Sequence, residues 1–178
     1  PGRIGRAMEV GCGTGFLTRY LLRRYPDAEW IVNDLIEESE IYLRPYASGH
    51  YVEYLWGDAE LLPLPGELDM IASASAVQWF DNLPFFIDRA VGSLCCGGYF
   101  AFTTFGTDNF REIRATTGEG LHYYTSEQLQ ELLTAAGYGI CVCVPIKAVS
   151  FFTTNASEDA PIASVRMLVA SWFVRMKR

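Results

Sequence analysis

The stretch Glu9-Val10-Gly11-Cys12-Gly13-Thr14-Gly15 sets three glycines at alternate residues, with a carboxylate two residues before the first. Glycine-rich turns between a strand and a helix bring backbone N–H groups against a ligand, and dinucleotide sites use G-x-G-x-x-G, whose third glycine lets the helix pack closely. Here that third position is Phe16. The spacing G-x-G-x-G behind an acid suits a ligand that carries an ammonium and a carboxylate rather than a pyrophosphate. The methionine end of S-adenosylmethionine fits that description, although the glycines alone also allow a plain tight turn.

A second acid falls where such a ligand needs one. Trp30-Ile31-Val32 is apolar and ends in Asn33-Asp34, and Asp34 stands 19 residues beyond Gly15, close to the ~20 expected for a ribose-binding acid. Further candidates follow later apolar runs. Gly57-Asp58-Ala59-Glu60 offers a carboxylate beside a free backbone N–H, which can read the donor and acceptor edge of an adenine. Ser73 to Phe80 combines small residues that permit close approach with Trp79, which is either a flat apolar wall or a core aromatic.

These turns need a frame. Apolar runs at Ala7 to Val10, Trp30 to Val32, Val52 to Trp56, Leu68 to Ala72 and Tyr99 to Phe105 predict strands, with helical stretches between several of them. The alternation predicts an α/β fold whose parallel sheet is covered on both faces, with ligands at the carboxyl ends of the strands where the strand order reverses. Phe16 to Tyr25 predicts a helix. Asp81 or Asn82 starts another, with Phe85, Phe86, Ala90, Val91 and Leu94 at helical spacing before Gly97-Gly98, and Thr125 or Ser126 caps one running through Leu129, Leu132 and Leu133 to Gly137. Ile140 to Val144 and Ala148 to Phe152, split by Pro145, predict an antiparallel hairpin at the sheet edge. Ile162, Val165, Leu168, Val169, Trp172, Phe173 and Met176 recur at helical spacing and predict a closing amphipathic helix.

Composition narrows the classes. The 178 residues, half of them hydrophobic, suffice for one core and one domain. No run approaches ~18 apolar residues and no apolar leader occupies residues 1–6, so a cytoplasmic protein without membrane contact is expected. Five cysteines (Cys12, Cys95, Cys96, Cys141 and Cys143) form no C-x-x-C pair, which argues against a disulfide framework and a metal site. A net charge of −7 argues against nucleic acid as a partner.

Several stretches together resemble a known family. Glu9 to Arg19 (EVGCGTGFLTR) and Asn33-Asp34-Leu35 are similar to the class I S-adenosylmethionine-dependent methyltransferases. Ser73 to Leu83 (SASAVQWFDNL), Gly97 to Asn109 (GGYFAFTTFGTDN) and Gly118 to Tyr124 (GEGLHYY) resemble, more narrowly, the malonyl-[acyl-carrier protein] O-methyltransferases of biotin synthesis. The resemblance covers roughly residues 5–150. It implies a Rossmann-like α/β fold, with a mostly parallel seven-stranded sheet ending in an antiparallel hairpin and helices on both faces. It also implies a methyltransferase domain over residues 1–155, followed by a dissimilar helical tail over 156–178. Family members carry a helical segment before the first strand that helps cover the cofactor; this chain reaches its glycine turn by residue 11, so that lid is expected to be missing.

For the site, the resemblance places Gly11, Cys12, Gly13 and Gly15 around the methionine portion of S-adenosylmethionine, with Glu9 near the amino group. Asn33 and Asp34 fall at the ribose, Asp58 and Ala59 at the adenine, and Ser75 beside the sulfonium. The implied acceptor is the free carboxylate of malonyl-acyl-carrier protein or malonyl-CoA. Such a carboxylate is already ionised at pH 7, so no general base is required. What it needs is donors: Arg114, His122 and Tyr124 lie after the fifth strand, where an arginine fork and a phenol can orient a carboxylate. Methylation of another small carboxylic acid, and cofactor binding without turnover, are the competing readings.

Overall fold

The computed structural model describes residues 2–107, 109, 115–118, 120–151 and 164–176, with the backbone alone for 140–151 and 164–173. Seven strands form one sheet: β1 (Arg6–Val10), β2 (Glu29–Asp34), β3 (Tyr51–Trp56), β4 (Leu68–Ala74), β5 (Leu94–Phe105), β6 (Tyr138–Phe151) and β7 (Ser164–Met176). Helices α1 (Thr18–Arg24), α2 (Glu40–Ala47), α3 (Leu83–Ser93) and α4 (Ser126–Ala135) lie between them among the described residues. The sheet order is β3-β2-β1-β4-β5-β7-β6, with β1 to β5 parallel and β7 antiparallel to both its neighbours. The order reverses between β1 and β4, which opens the crevice predicted for ligand.

Alternation along buried strands sorts the core into two layers. Met8 and Val10 of β1 join Ile71, Phe100 and Phe102 under α3 and α4, supplied by Phe86, Ile87, Ala90, Leu129 and Leu133. Ala7 faces the other way and packs with Trp30, Val32, Met70 and Ala72 against Leu22 of α1 and Leu43 of α2. Helix starts follow side-chain chemistry. The Asn82 side chain accepts from the Phe85 N–H, and Thr125 with Gln128 makes a reciprocal capping box at α4. β5 begins at Leu94, directly after α3, so Gly97 and Gly98 lie inside the strand rather than ending the helix.

The C-terminal region departs from expectation. Pro145 does not divide a hairpin: β6 runs unbroken through it and pairs with β7 along its length, with one register shift between Ile140 and Val142 and with Pro145 opposite Ala170. Since β6 is the outer strand, a missing N–H is tolerated there. The segment expected as a helical tail within 156–178 instead supplies β7, inserted between β5 and β6. Its Val165, Val169, Trp172, Phe173 and Val174 are β-formers, and pairing satisfies the β5 edge from Tyr99 to Phe105, which a helix would have left open. Tertiary pairing overrides the helical periodicity of this segment.

Candidate functional site

The chain leaves β1 through glycines in the left-handed region, with φ +73° at Gly11, +51° at Gly13 and +79° at Gly15. The N–H groups of Gly11 and Cys12 both donate to the Asn33 carbonyl, at 2.9 and 3.0 Å, pinning the turn to the end of β2. A Cβ at Gly11 would run into the Ala76 methyl beyond β4, so glycine is what lets the two sides of the crevice close. Gly13 has open space around it. Gly15 turns away from the crevice: a Cβ there would meet Leu43 at 2.9 Å and Tyr46 at 3.3 Å on α2.

A cavity of about 580 Å³ sits over the carboxyl ends of β1, β2 and β4, within the ~300–1,000 Å³ usual for ligand sites. Gly11, Cys12, Gly13, Asn33, Asp34, Asp58, Ala59 and Ser75 all line it; Glu9 and Gly15 lie behind its wall. The half-buried Asp34 carboxylate accepts from the Gly13 N–H at 2.7 Å and from the Ile36 N–H at 3.0 Å, which fixes it at the rim of the cavity. Asn33 spends its amide on the scaffold, donating to the carbonyls of Leu55 at 2.7 Å and Gly57 at 2.9 Å. Phe16 and Trp79 stand at the mouth, each 67% exposed, so Trp79 is a wall rather than a core aromatic.

Glu9 is buried beneath the glycine turn, and neither of its carboxylate oxygens has a hydrogen-bond partner among the described residues. Burial raises its pKa from 4.5 to about 7; the neighbouring Thr18 hydroxyl opposes the rise and the Asp34 charge adds to it. Burial also pushes the Cys12 thiol up, helped by the charges of Asp34 and Glu9, so this cysteine stays protonated and is no nucleophile. A buried carboxylate without a partner, set behind a backbone turn open at Gly13, fits a cationic ligand with its own donors. Such an arrangement suits the positive charge expected of S-adenosylmethionine.

The far wall is held by the expected Asp58 and Ser75 together with Glu60, Arg89 and Gln78, whose roles the sequence does not disclose. Asp58 caps its own turn by accepting from the Glu60 N–H at 2.8 Å. The Glu60 carboxylate in turn accepts from the N–H groups of Asp81 at 2.8 Å and Asn82 at 2.7 Å, tying the loop after β3 to the start of α3. Arg89 of α3 donates to the carbonyls of Ala59, Glu60 and Leu62. Its signal in the sequence is an arginine on a helix whose other inward residues are apolar. Ser75 adopts a left-handed φ of +54°, and its N–H donates to Thr103 of β5 through the carbonyl at 3.1 Å and Oγ1 at 3.0 Å. Gln78 donates to the Ser75 carbonyl and is itself buried.

A second, smaller chamber of about 100 Å³ adjoins the first, with Phe80 and Asp81 common to both walls. His122 and Tyr124 line it together with Gln78, Thr104 and Tyr123. The His122 and Tyr124 rings meet edge to face at 4.7 Å. The structure thus brings two of the three expected acceptor residues together; Arg114 lies outside the described residues.

Comparison with known proteins agrees with this geometry. Residues 8–102 match the family model described as a methyltransferase domain. The malonyl-[acyl-carrier protein] O-methyltransferase of Prosthecochloris aestuarii is 41% identical over 133 residues, which are 72% of this chain and 50% of that protein. Its counterpart from Bacteroides thetaiotaomicron is 40% identical over 134 residues, 75% of this chain and 51% of that protein. The chain spans about half the length of the curated relatives it matches. Among solved structures, a putative methyltransferase from Bacillus halodurans superposes with a TM-score of 0.81 at 17% identity, covering 100% of this chain and 94% of that one. The N-methyltransferase NodS of Bradyrhizobium japonicum, in complex with S-adenosylhomocysteine, gives 0.70 at 18% identity, covering 99% and 80%.

The chain belongs to the methyltransferase domain family, with the Rossmann-like fold of that class.

Proposed function

We propose that this chain transfers a methyl group to the free carboxylate of a malonyl thioester, malonyl-acyl-carrier protein or malonyl-CoA, giving the methyl ester that enters biotin (pimeloyl) synthesis. The observation that carries the reading is the run of about 40% identity to relatives bearing that name. The paired chambers support it. S-adenosylmethionine supplies a methyl carbon on a sulfonium, so an acceptor oxygen forms the O–CH3 bond as the C–S bond breaks and its electron pair returns to sulfur.

The residues divide the work of holding and aiming. Gly11, Cys12 and Gly13 cradle the methionine portion through backbone, and Glu9 behind them balances positive charge. Asp34 holds the ribose hydroxyls, with Asn33 keeping its strand end in place. Asp58 and Ala59 face the adenine on a loop clamped by Glu60 and Arg89. Ser75 borders the reacting atoms, and Tyr124, His122 and Arg114 donate to oxygen atoms of the acceptor. No residue has to remove a proton, because the acceptor arrives ionised; the gain comes from alignment and loss of water around the attacking oxygen.

The test is methyl transfer from labelled S-adenosylmethionine to malonyl-acyl-carrier protein, malonyl-CoA and free dicarboxylates, read as a base-labile ester. The proposal expects ester on a thioester. Ester on free dicarboxylates alone would reassign the acceptor to another small carboxylic acid, and S-adenosylhomocysteine binding with no ester on any acceptor would reduce the chain to a cofactor-binding unit.

A further inference from the structure

Gln78 leaves one polar atom unaccounted for. Its side chain is 6% exposed, and its Nε2 is committed to the Ser75 carbonyl. That bond fixes the orientation of the amide, since the opposite orientation would set two carbonyl oxygens against each other. Oε1 is then left buried with no partner among the described residues, in a side chain that lines the smaller chamber. An unpaired buried amide oxygen is costly, so such an atom marks a place where a donor is received.

The rest of the wall says what kind of group brings that donor. Asp81 adds acceptor oxygens, and together with Gln78 it disfavours a second carboxylate in this chamber. His122, Tyr124 and Thr104 offer donors in the same small space. A chamber of about 100 Å³ whose lining carries both acceptors and donors matches an uncharged group that has both an N–H and a C=O. We infer that the smaller chamber receives an amide of the acceptor's thioester arm, its N–H donating to Gln78 Oε1, and that this contact separates pantetheine-borne acids from plain dicarboxylates. The inference rests on the proposed malonyl thioester acceptor and deepens it. Gln78 is then a specificity-determining residue that also supports Ser75.

Calorimetric titration of the protein, saturated with S-adenosylhomocysteine, with malonyl-N-acetylcysteamine and with its N-methylated amide tests the contact without relying on a variant. Removing the N–H is expected to weaken binding roughly tenfold, the cost of one net hydrogen bond. In Gln78→Leu the two compounds bind alike. Gln78→Glu keeps an acceptor oxygen while losing the donor to Ser75, and it retains the difference. Equal binding of the two compounds to the unaltered protein overturns this inference and leaves the proposed acceptor standing; no binding of either overturns both.

Discussion

Glu9 makes the stability of the folded protein depend on pH. Its pKa stands at about 7 in the folded chain against 4.5 as an ordinary glutamate. The folded state therefore binds the proton more tightly, and the stability this group contributes is full below pH 4.5 and declines as pH rises through 7. Over that range the decline amounts to roughly 2–4 kcal/mol for the unliganded protein. Thermal melts of Glu9→Gln between pH 5 and 8 should lose that slope and lie above the unaltered protein at pH 8. A ligand cation reverses the preference, so affinity for S-adenosylhomocysteine, measured by calorimetry, should rise through pH 7 and flatten in the variant. For Asp34 the expected loss is simpler. Asp34→Ala removes the acceptor for Gly13 and Ile36 as well as for ribose, and should weaken cofactor binding at least tenfold, about 1.4 kcal/mol or more. An unchanged dissociation constant would remove Asp34 from the ribose position.

Glu9, the glycines and Asp34 were legible because their types and spacing repeat a chemical requirement. Gln78 and Arg89 were not, since their partners are backbone carbonyls that only the fold brings near. Gly15 shows the limit from the other side: it continues the glycine pattern, but its left-handed turn serves packing against α2 rather than the cavity.

The connections between elements decide how rigidly the cavity is held. Glu60 and Arg89 join the loop after β3 to α3, so this wall moves with the helix. Glu60→Ala leaves the N–H groups of Asp81 and Asn82 without their acceptor, and a loss of about 1–3 kcal/mol in urea unfolding is expected, with weaker adenosine binding. The first four strands, and β5 from Tyr99 onward, were predictable because each is a short apolar run bounded by turn residues. β6 was legible as strand, though as two arms of a hairpin rather than one strand, and β7 was not. The residues of β7 carry a helical repeat and a strand composition at once, and the long free edge of β5 selects the strand. Paired cysteines at Ala101 and Phe173, opposite each other in the β5–β7 register, should cross-link on mild oxidation in a background without the native cysteines. Failure to cross-link, with the fold retained, would restore the helical reading.

Taken whole, the molecule is a doubly covered sheet whose reversal point gathers residues from the ends of five strands into two adjoining chambers. The larger has the size of a ligand site, and the smaller adjoins it at Phe80 and Asp81. No described helix is long and apolar enough to cross a membrane, and no cluster of three metal-ligating side chains occurs among the described residues. The most decisive measurement is a crystal structure with S-adenosylhomocysteine and a malonyl thioester bound together. The homocysteine should lie along Gly11 to Gly13, the ribose on Asp34 and the adenine against Asp58 and Ala59, with the thioester entering past Ser75 toward Gln78, His122 and Tyr124. A thioester seated away from the smaller chamber, or a cofactor that leaves Asp34 and the glycine turn untouched, would contradict this arrangement.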